Sequence, residues 1–189
     1  GMSTLLRLLF QGGASTVVAV AVDGEDYERA FAALGQAEDV QIVVCDSGEL
    51  GVQTALRKSV EDASAARRER IAVVGMSGAS VEELTTRAAV LNSERMVLVG
   101  PDVLDSQGNG LPGVFAAAAV ASAIAASADP AVPLNGCALR GLGGVSAAYG
   151  DNEVDLLVRG GVTPLEAVGG EVSPVRGITT RTTTGGVKD

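Results

Sequence analysis

Histidine is absent from all 189 residues. That absence removes the commonest general base, the commonest zinc ligand and every Ser-His-Asp arrangement. Tryptophan is also absent, and aromatics make up 3% of a chain that is 47% hydrophobic. The core must therefore be built from Ala, Val, Leu and Ile, with 25 glycines letting elements approach closely. Such a composition suits buried Val-rich strands under helices better than a β-sandwich. Cysteine is scarce: Cys45 and Cys137 lie far apart, each in an apolar run. Both are expected to be buried, reduced thiols, which points to a cytoplasmic folding compartment. Positive charge is short as well, 14 basic residues against 23 acidic, for a net charge of −9. The basic residues form no stripe, so no nucleic-acid footprint is expected. The longest apolar run, residues 114–128, is Ala-rich and shorter than the ~20 residues a membrane span requires. The opening residues do not read as a secretory leader, and direct membrane insertion is not expected. Gly1 ahead of Met2 reads as a cloning remnant, so both chain ends are expected to be artificial boundaries.

Within these limits, 189 residues are enough for one domain with a sizeable core. Residues 15–22 (STVVAVAV) are almost wholly apolar, as a central parallel strand would be. Tyr27, Ala30, Phe31 and Leu34 then recur at helical spacing, with Asp26 as N-cap and Gly35 near the end. Residues 40–46 (VQIVVCD) return to strand. A helix is expected over residues 49–68, with Val52, Leu56, Val60 and Ala63 inward and a basic ending that complements its dipole. Residues 70–76 (RIAVVGM) read as a third strand. Ser80 and Glu83 form a capping box for a helix with Val81, Leu84, Ala88 and Leu91 inward. Residues 95–100 (RMVLVG) read as a fourth strand. Four β-α repeats predict an α/β fold, a mainly parallel sheet flanked by helices on both faces.

Beyond these repeats, residues 102–113 form a turn-rich excursion or hairpin. Residues 114–127 should be the most buried helix. From residue 129 the chain turns irregular, with Pro130, Pro133 and the Gly-rich run RGLGGVSAAYGD. A short helix over residues 152–159 should stop at Gly160-Gly161. Two β-rich runs joined by Gly169-Gly170 predict a C-terminal hairpin, with Pro174 assigning the second run to an edge or bulge. The single domain, residues 1–189, thus divides into an opening segment (1–14), β/α repeats (15–128) and a final Gly-rich, helix and hairpin part (129–189).

Candidate chemistry is thin. GMSGAS (residues 75–80) follows a strand and opens a helix, where a nucleophilic serine could sit. Ser77 has no histidine to serve it, however, and the two lysines, Lys58 and Lys188, are remote in sequence. A tight βα turn with Ser80 as cap accounts for the same residues. No GxGxxG follows the first strand, where Asp23, Gly24 and Glu25 stand instead, and no GxxxxGK[ST] occurs, so nucleotide binding lacks its motifs. The Gly-rich run 140–150 is expected to serve turns. Residues 105–110 (DSQGNG) imitate half an EF-hand loop, but Ala116 stands where the closing Glu belongs. Asp46 or Ser47 is expected to cap a helix rather than hold a cation. No catalytic, cofactor-binding or metal-ligating residue is assigned, and no cofactor is expected. Two readings stay open beside a structural one: an α/β hydrolase-like domain and a small-molecule-binding domain.

Several pieces, in order, resemble one family. LLRLLFQGGASTVVAVAV resembles its apolar helix, Gly-Gly and strand. DYERAFAAL with EDVQIVVCD, RIAVVGM, and LNSERMVLVGPDV resemble its following elements. PGVFAAAAVASAIAASADPAVPLNG is similar to its Ala-rich helix and Pro-containing exit. DLLVRGGVTPLEAVGGEVSPVRGITTRTT is similar to a helix, hairpin and strand ending in Arg-x-x-Thr-Thr. On these residues the chain resembles the central, subtilisin-like α/β domain of contractile phage tail sheath proteins and related contractile injection systems. The resemblance implies the fold without protease activity and a subunit that polymerises helically and contracts. Its implied partners are other sheath subunits, the tail tube and the baseplate; its implied location is the virion, after assembly in the bacterial host cytoplasm. Family members are longer, so this chain is expected to be a fragment. Residues 176–181 should form the closing strand, with Ile178 and Thr180 on one face and Thr179 and Arg181 on the other. Residues 183–189 should be poorly ordered or borrowed by a neighbour. Arg67, Arg68 and Glu69 are expected to be solvated.

Overall fold

The computed structural model describes residues 2–127 and 134–188. Pro130 and Pro133, and the Pro-containing exit they mark, lie outside the described residues. The frame is a five-stranded sheet of β1 (Ile42–Val43), β2 (Ile71–Gly75), β3 (Met96–Gly100), β6 (Val162–Val168) and β7 (Glu171–Pro174), in that order across the sheet. β1, β2, β3 and β6 are parallel, and β7 is antiparallel to β6. The remaining strands form two small pairs: β4 (Val103–Leu104) with β5 (Gly144–Val145), and β8 (Thr183–Thr184) with β9 (Val187–Lys188).

Side chains alternate along the buried strands and so feed two cores. Val73, Val97 and Val99 face one side, under α1 (Met2–Gln11) and α5 (Gly113–Ala126). Val43, Ala72, Val74, Met96 and Leu98 face the other. There they meet α2 (Tyr27–Gly35), α3 (Leu50–Ala65), α4 (Val81–Leu91) and α6 (Asp151–Arg159). The predicted α/β class, with helices on both faces of a mainly parallel sheet, is observed. α5 is buried around nearly its whole circumference, from Phe115 to Ala123. Its alanines bring the helix axis close to the strands, and Ala costs no side-chain entropy on burial.

Local signals are read out closely in several elements. Asp26 caps α2 by accepting from Arg29 N at 3.0 Å, and Ser80 and Glu83 form the reciprocal capping box of α4. The β6–β7 hairpin turns on Gly169 and Gly170, both at positive φ (61° and 84°), which glycine adopts without a Cβ penalty. Pro174 lies on the sheet's edge strand, where a missing N–H costs no internal ladder bond.

Four expectations are corrected. Residues 15–22 are not a central strand: they run beside β1 with no ladder, and the first paired strand is β1. Residues 176–182 are not a regular strand either. They cross the starts of β3 and β6 and are held there largely by side chains, with Thr180 N donating to Met96 O at 2.9 Å. Residues 183–188 fold back as the β8–β9 hairpin, turning on Gly185 and Gly186 at φ 59° and 82°. Cys137 is exposed, and only Cys45 is buried; both are free thiols. Cys137 sits in an irregular loop between Leu134 and Leu139, whose apolar side chains reach the core in its place.

The basic end of the helix predicted over residues 49–68 also plays a different part. α3 stops at Ala65, before Arg67, Arg68 and Glu69. Arg68 donates to Gly35 O at 2.6 Å and Arg70 to Leu34 O and Ala37 O at 3.2 Å, satisfying carbonyls at the end of α2. Glu69 pairs with Arg95. Arg68 and Glu69 thus make ties within the domain, and Arg67, Arg68 and Glu69 all remain exposed to solvent, as expected.

Candidate functional site

In a parallel α/β sheet, ligands and catalytic groups collect beyond the carboxyl ends of the strands. Here the carboxyl end of β2 is occupied by the chain's own backbone. β2 ends at Gly75, where an added Cβ would lie 2.2 Å from Gly113 O; a Cβ on Gly113 would lie 2.6 Å from the Met76 carbonyl carbon. Two glycines thus let the β2–α4 turn and the start of α5 meet main chain to main chain. Ser77, the candidate nucleophile, accepts a hydrogen bond from Gly113 N at 2.8 Å. Gly78, at φ 63°, donates its N–H to Asp102 at 2.7 Å. Lys58 lies on α3, paired with Asp62, and Lys188 lies in the terminal hairpin. Among the described residues no acid-base set is gathered around Ser77, and its hydroxyl pins the turn to α5.

The other candidates resolve likewise into local structure. Asp105 accepts from Gln107 N and Asn109 N, both at 2.9 Å, and from the Asn109 side chain at 3.2 Å. The Asn109 backbone bond leads the causes that hold its carboxyl below the usual range. This is a self-satisfied Asx turn rather than half a calcium loop. Asp46 accepts from Tyr27 Oη at 2.8 Å, and Ser47 Oγ accepts from Glu49 N at 3.2 Å. Ser47 serves the start of α3, while Asp46 ties α2 to the end of β1. In the Gly-rich run, Gly143 packs on Asp105 O, where a Cβ would come within 2.1 Å, and Gly144 pairs with Leu104. No group of three or more His, Cys, Asp or Glu side chains is placed to hold a metal among the described residues.

Two buried polar networks escaped sequence reasoning. Gln53 is fully buried on α3; it donates to Gly75 O at 3.0 Å and accepts from Arg87 at 2.7 Å. Arg87 also reaches Gly48 O at 2.8 Å, so one network joins α3, α4 and the end of β2. The second holds the terminal segment. Thr180, fully buried, accepts from Ser93 N at 3.0 Å and donates to Ser93 O at 3.1 Å. Asn92 accepts from Thr182 N and Thr183 N and donates to Thr183 O. Arg181 bridges to Glu94 at 2.7 Å. Asn92 is the left-handed C-cap of α4 (φ 36°, ψ 56°), a place where Asn is common, and its side chain then doubles as a latch. A helix-ending Asn beside a Thr-rich segment 90 residues away leaves no periodicity to detect.

The fold and this filled end of β2 define a layered α/β scaffold whose conspicuous built features are internal ties. The chain belongs to the phage tail sheath family: residues 21–180 match the family described as "Phage tail sheath protein central domain". It is 34% identical over 151 residues to the tail sheath protein of Bacillus phage SP01, covering 77% of this chain and 26% of that one. It is 30% identical over 165 residues to the tail sheath protein of Mycobacterium phage Bxz1, covering 78% and 28%. The chain thus spans little more than a quarter of these relatives. Among solved structures, the sheath tail protein of Desulfitobacterium hafniense superposes with a TM-score of 0.71 at 16% identity, covering 88% of this chain and 37% of that one. The contracted helical sheath of the anti-feeding prophage gives 0.64 at 15% identity, covering 98% and 53%. At these identities the structural matches speak to the fold alone.

Proposed function

We propose that this chain is the central domain of a structural, non-enzymatic subunit of a contractile tail sheath, and one part of a longer protein. The subunit polymerises helically around the tail tube through contacts that do not close into a ring. Its partners are other sheath subunits, the tube and the baseplate; it is assembled in the bacterial host cytoplasm and carried in the virion. Work is stored in intersubunit contacts with two arrangements, and subunits move between them nearly as rigid bodies. The single observation that carries this reading is the family match across residues 21–180. The tied, aliphatic domain supports it, because a subunit that transmits force must not deform internally.

The test compares two proteins by light scattering and negative-stain electron microscopy. These 189 residues alone are expected to be monomeric or weakly dimeric at micromolar concentration. The product of the complete coding sequence, co-expressed with the tube protein encoded beside it, is expected to form helical tubes. A coding sequence with no tube gene nearby, or a complete product that never forms tubes, would overturn the proposal.

A further inference from the structure

Two Asn-Gly pairs occur in the chain, Asn109-Gly110 and Asn135-Gly136. In such a pair the glycine backbone nitrogen can attack the Asn side-chain carbonyl carbon, because glycine has no Cβ to block the approach. Both pairs are exposed, so access to water does not separate them. Their hydrogen bonds do.

Asn135 and Gly136 are the central residues of a turn closed by Cys137 N donating to Leu134 O at 3.0 Å, with Gly136 at φ 69°. The Gly136 N–H, the group that would attack, donates to Pro174 O at 2.9 Å. Asn135 Oδ1, on the carbon that would be attacked, accepts from Gly177 N at 3.1 Å. Nucleophile and electrophile are both tied to other parts of the fold.

Asn109 and Gly110 lie in the loop that returns from β4. Leu104 and Gly110 face each other as a non-hydrogen-bonded antiparallel pair. The flanking bonds run from Asp105 N to Asn109 O and from Leu111 N to Val103 O, each at 2.9 Å. In this arrangement the Gly110 N–H points away from Leu104, and no acceptor takes it among the described residues. Nothing lies within 4 Å of the place a Gly110 Cβ would occupy. Asp105 holds Asn109 by its backbone N–H at 2.9 Å and its side-chain Nδ2 at 3.2 Å. Of the reacting groups, only the departing nitrogen is therefore bound.

We propose that Asn109 is a site of self-catalysed deamidation, a reaction that the fold suppresses at Asn135. The Gly110 nitrogen gives up its proton to solvent and attacks Cγ of Asn109. The Cγ–Nδ2 bond breaks and ammonia leaves, which closes a succinimide ring. Water then opens the ring at Cγ to give aspartate, or at the backbone carbonyl carbon to give isoaspartate. Either product places a new negative charge beside the Asp105 carboxylate and removes the Nδ2 bond to it. Isoaspartate also lengthens the loop by one backbone carbon. The reaction needs no partner and does not rest on the sheath reading.

The 189-residue chain is incubated for days in mildly alkaline buffer at physiological temperature, and tandem mass spectrometry follows the mass gain at each asparagine. Asn109 should convert about 10-fold faster than Asn135, where attack must first break the bonds to Pro174 and Gly177. The product at Asn109 should be a mixture of aspartate and isoaspartate. Gly110→Ala has room for its methyl, so it should bring the Asn109 rate down toward that of Asn135 without lowering the melting temperature. Equal rates at the two sites, or faster loss at Asn135, would sink the proposal. So would aspartate as the sole product, or a Gly110→Ala variant that reacts as fast as the wild type.

Discussion

Tyr27 and Tyr149 are the chain's two tyrosines, and both hold their protons far beyond the ordinary value of 10. Desolvation is the leading cause for each, and each is pushed up to about 12. Asp46 adds to the effect at Tyr27, and Glu153 and Asp102 add at Tyr149. The folded state therefore disfavours phenolate. Its advantage is intact below pH 10 and is lost as the pH climbs from 10 toward 12. With no tryptophan to obscure it, ultraviolet titration of the native protein should show almost no phenolate at pH 10 and a midpoint near 12. The denatured chain should titrate near 10, and a native midpoint at 10 would refute the burial described. At this scale the sequence was least informative. Gln53, Asn92 and Thr180 are polar residues whose partners lie 22 to 91 positions away, and nothing in local composition names a distant partner.

Elements were legible where their ends carry their own chemistry. α4 is the clearest case, since Ser80 and Glu83 satisfy each other's orphan amides within three residues. Hydrogen bonds from the Ser80 backbone, then its hydroxyl, hold the Glu83 carboxyl below its ordinary value of 4.5. A depressed carboxyl contributes stability that is fully present above the ordinary value and is lost as pH falls through the depressed one. Glu83→Gln keeps the capping geometry and removes the charge. Its urea midpoint should therefore fall below wild type at pH 7, and the two should converge by pH 3. A gap of equal size at both pH values would show that the charge plays no part. Residues 15–22 were misplaced as a central strand for an equally physical reason. Periodicity reports that a segment wants both faces covered; it does not report whether a neighbour has supplied the ladder. Residues 176–182 misled in the opposite way, because the strand-prone Thr180 spends its hydroxyl on the Ser93 backbone and the segment makes no regular pairing.

For the whole molecule, the two layers meet most closely where Gly75 and Gly113 touch. Gly75→Ala would drive a Cβ into a backbone carbonyl 2.2 Å away, and neither partner is the flexible end of a side chain. The expected loss is about 3 kcal/mol, the upper part of the range for overpacking, or about 10 °C in melting temperature for a domain of this size. Gly51→Ala is the matched control: it lies in α3 with nothing within 4 Å of the added methyl, and should raise stability by about 0.5 kcal/mol. Equal effects at the two sites would mean that the layers are not in contact there. The sequence by itself determined the class of fold, the caps of α2 and α4, the β6–β7 hairpin and the lack of histidine chemistry. Each of these rests on short-range periodicity, on a residue's own backbone preferences or on a simple count. Only the tertiary structure decided which strands pair, where the terminal segment is latched, and that the end of β2 is filled by main chain. Those outcomes depend on close approaches between residues far apart in the chain, such as Gly75 with Gly113 and Ser93 with Thr180, which no local pattern encodes.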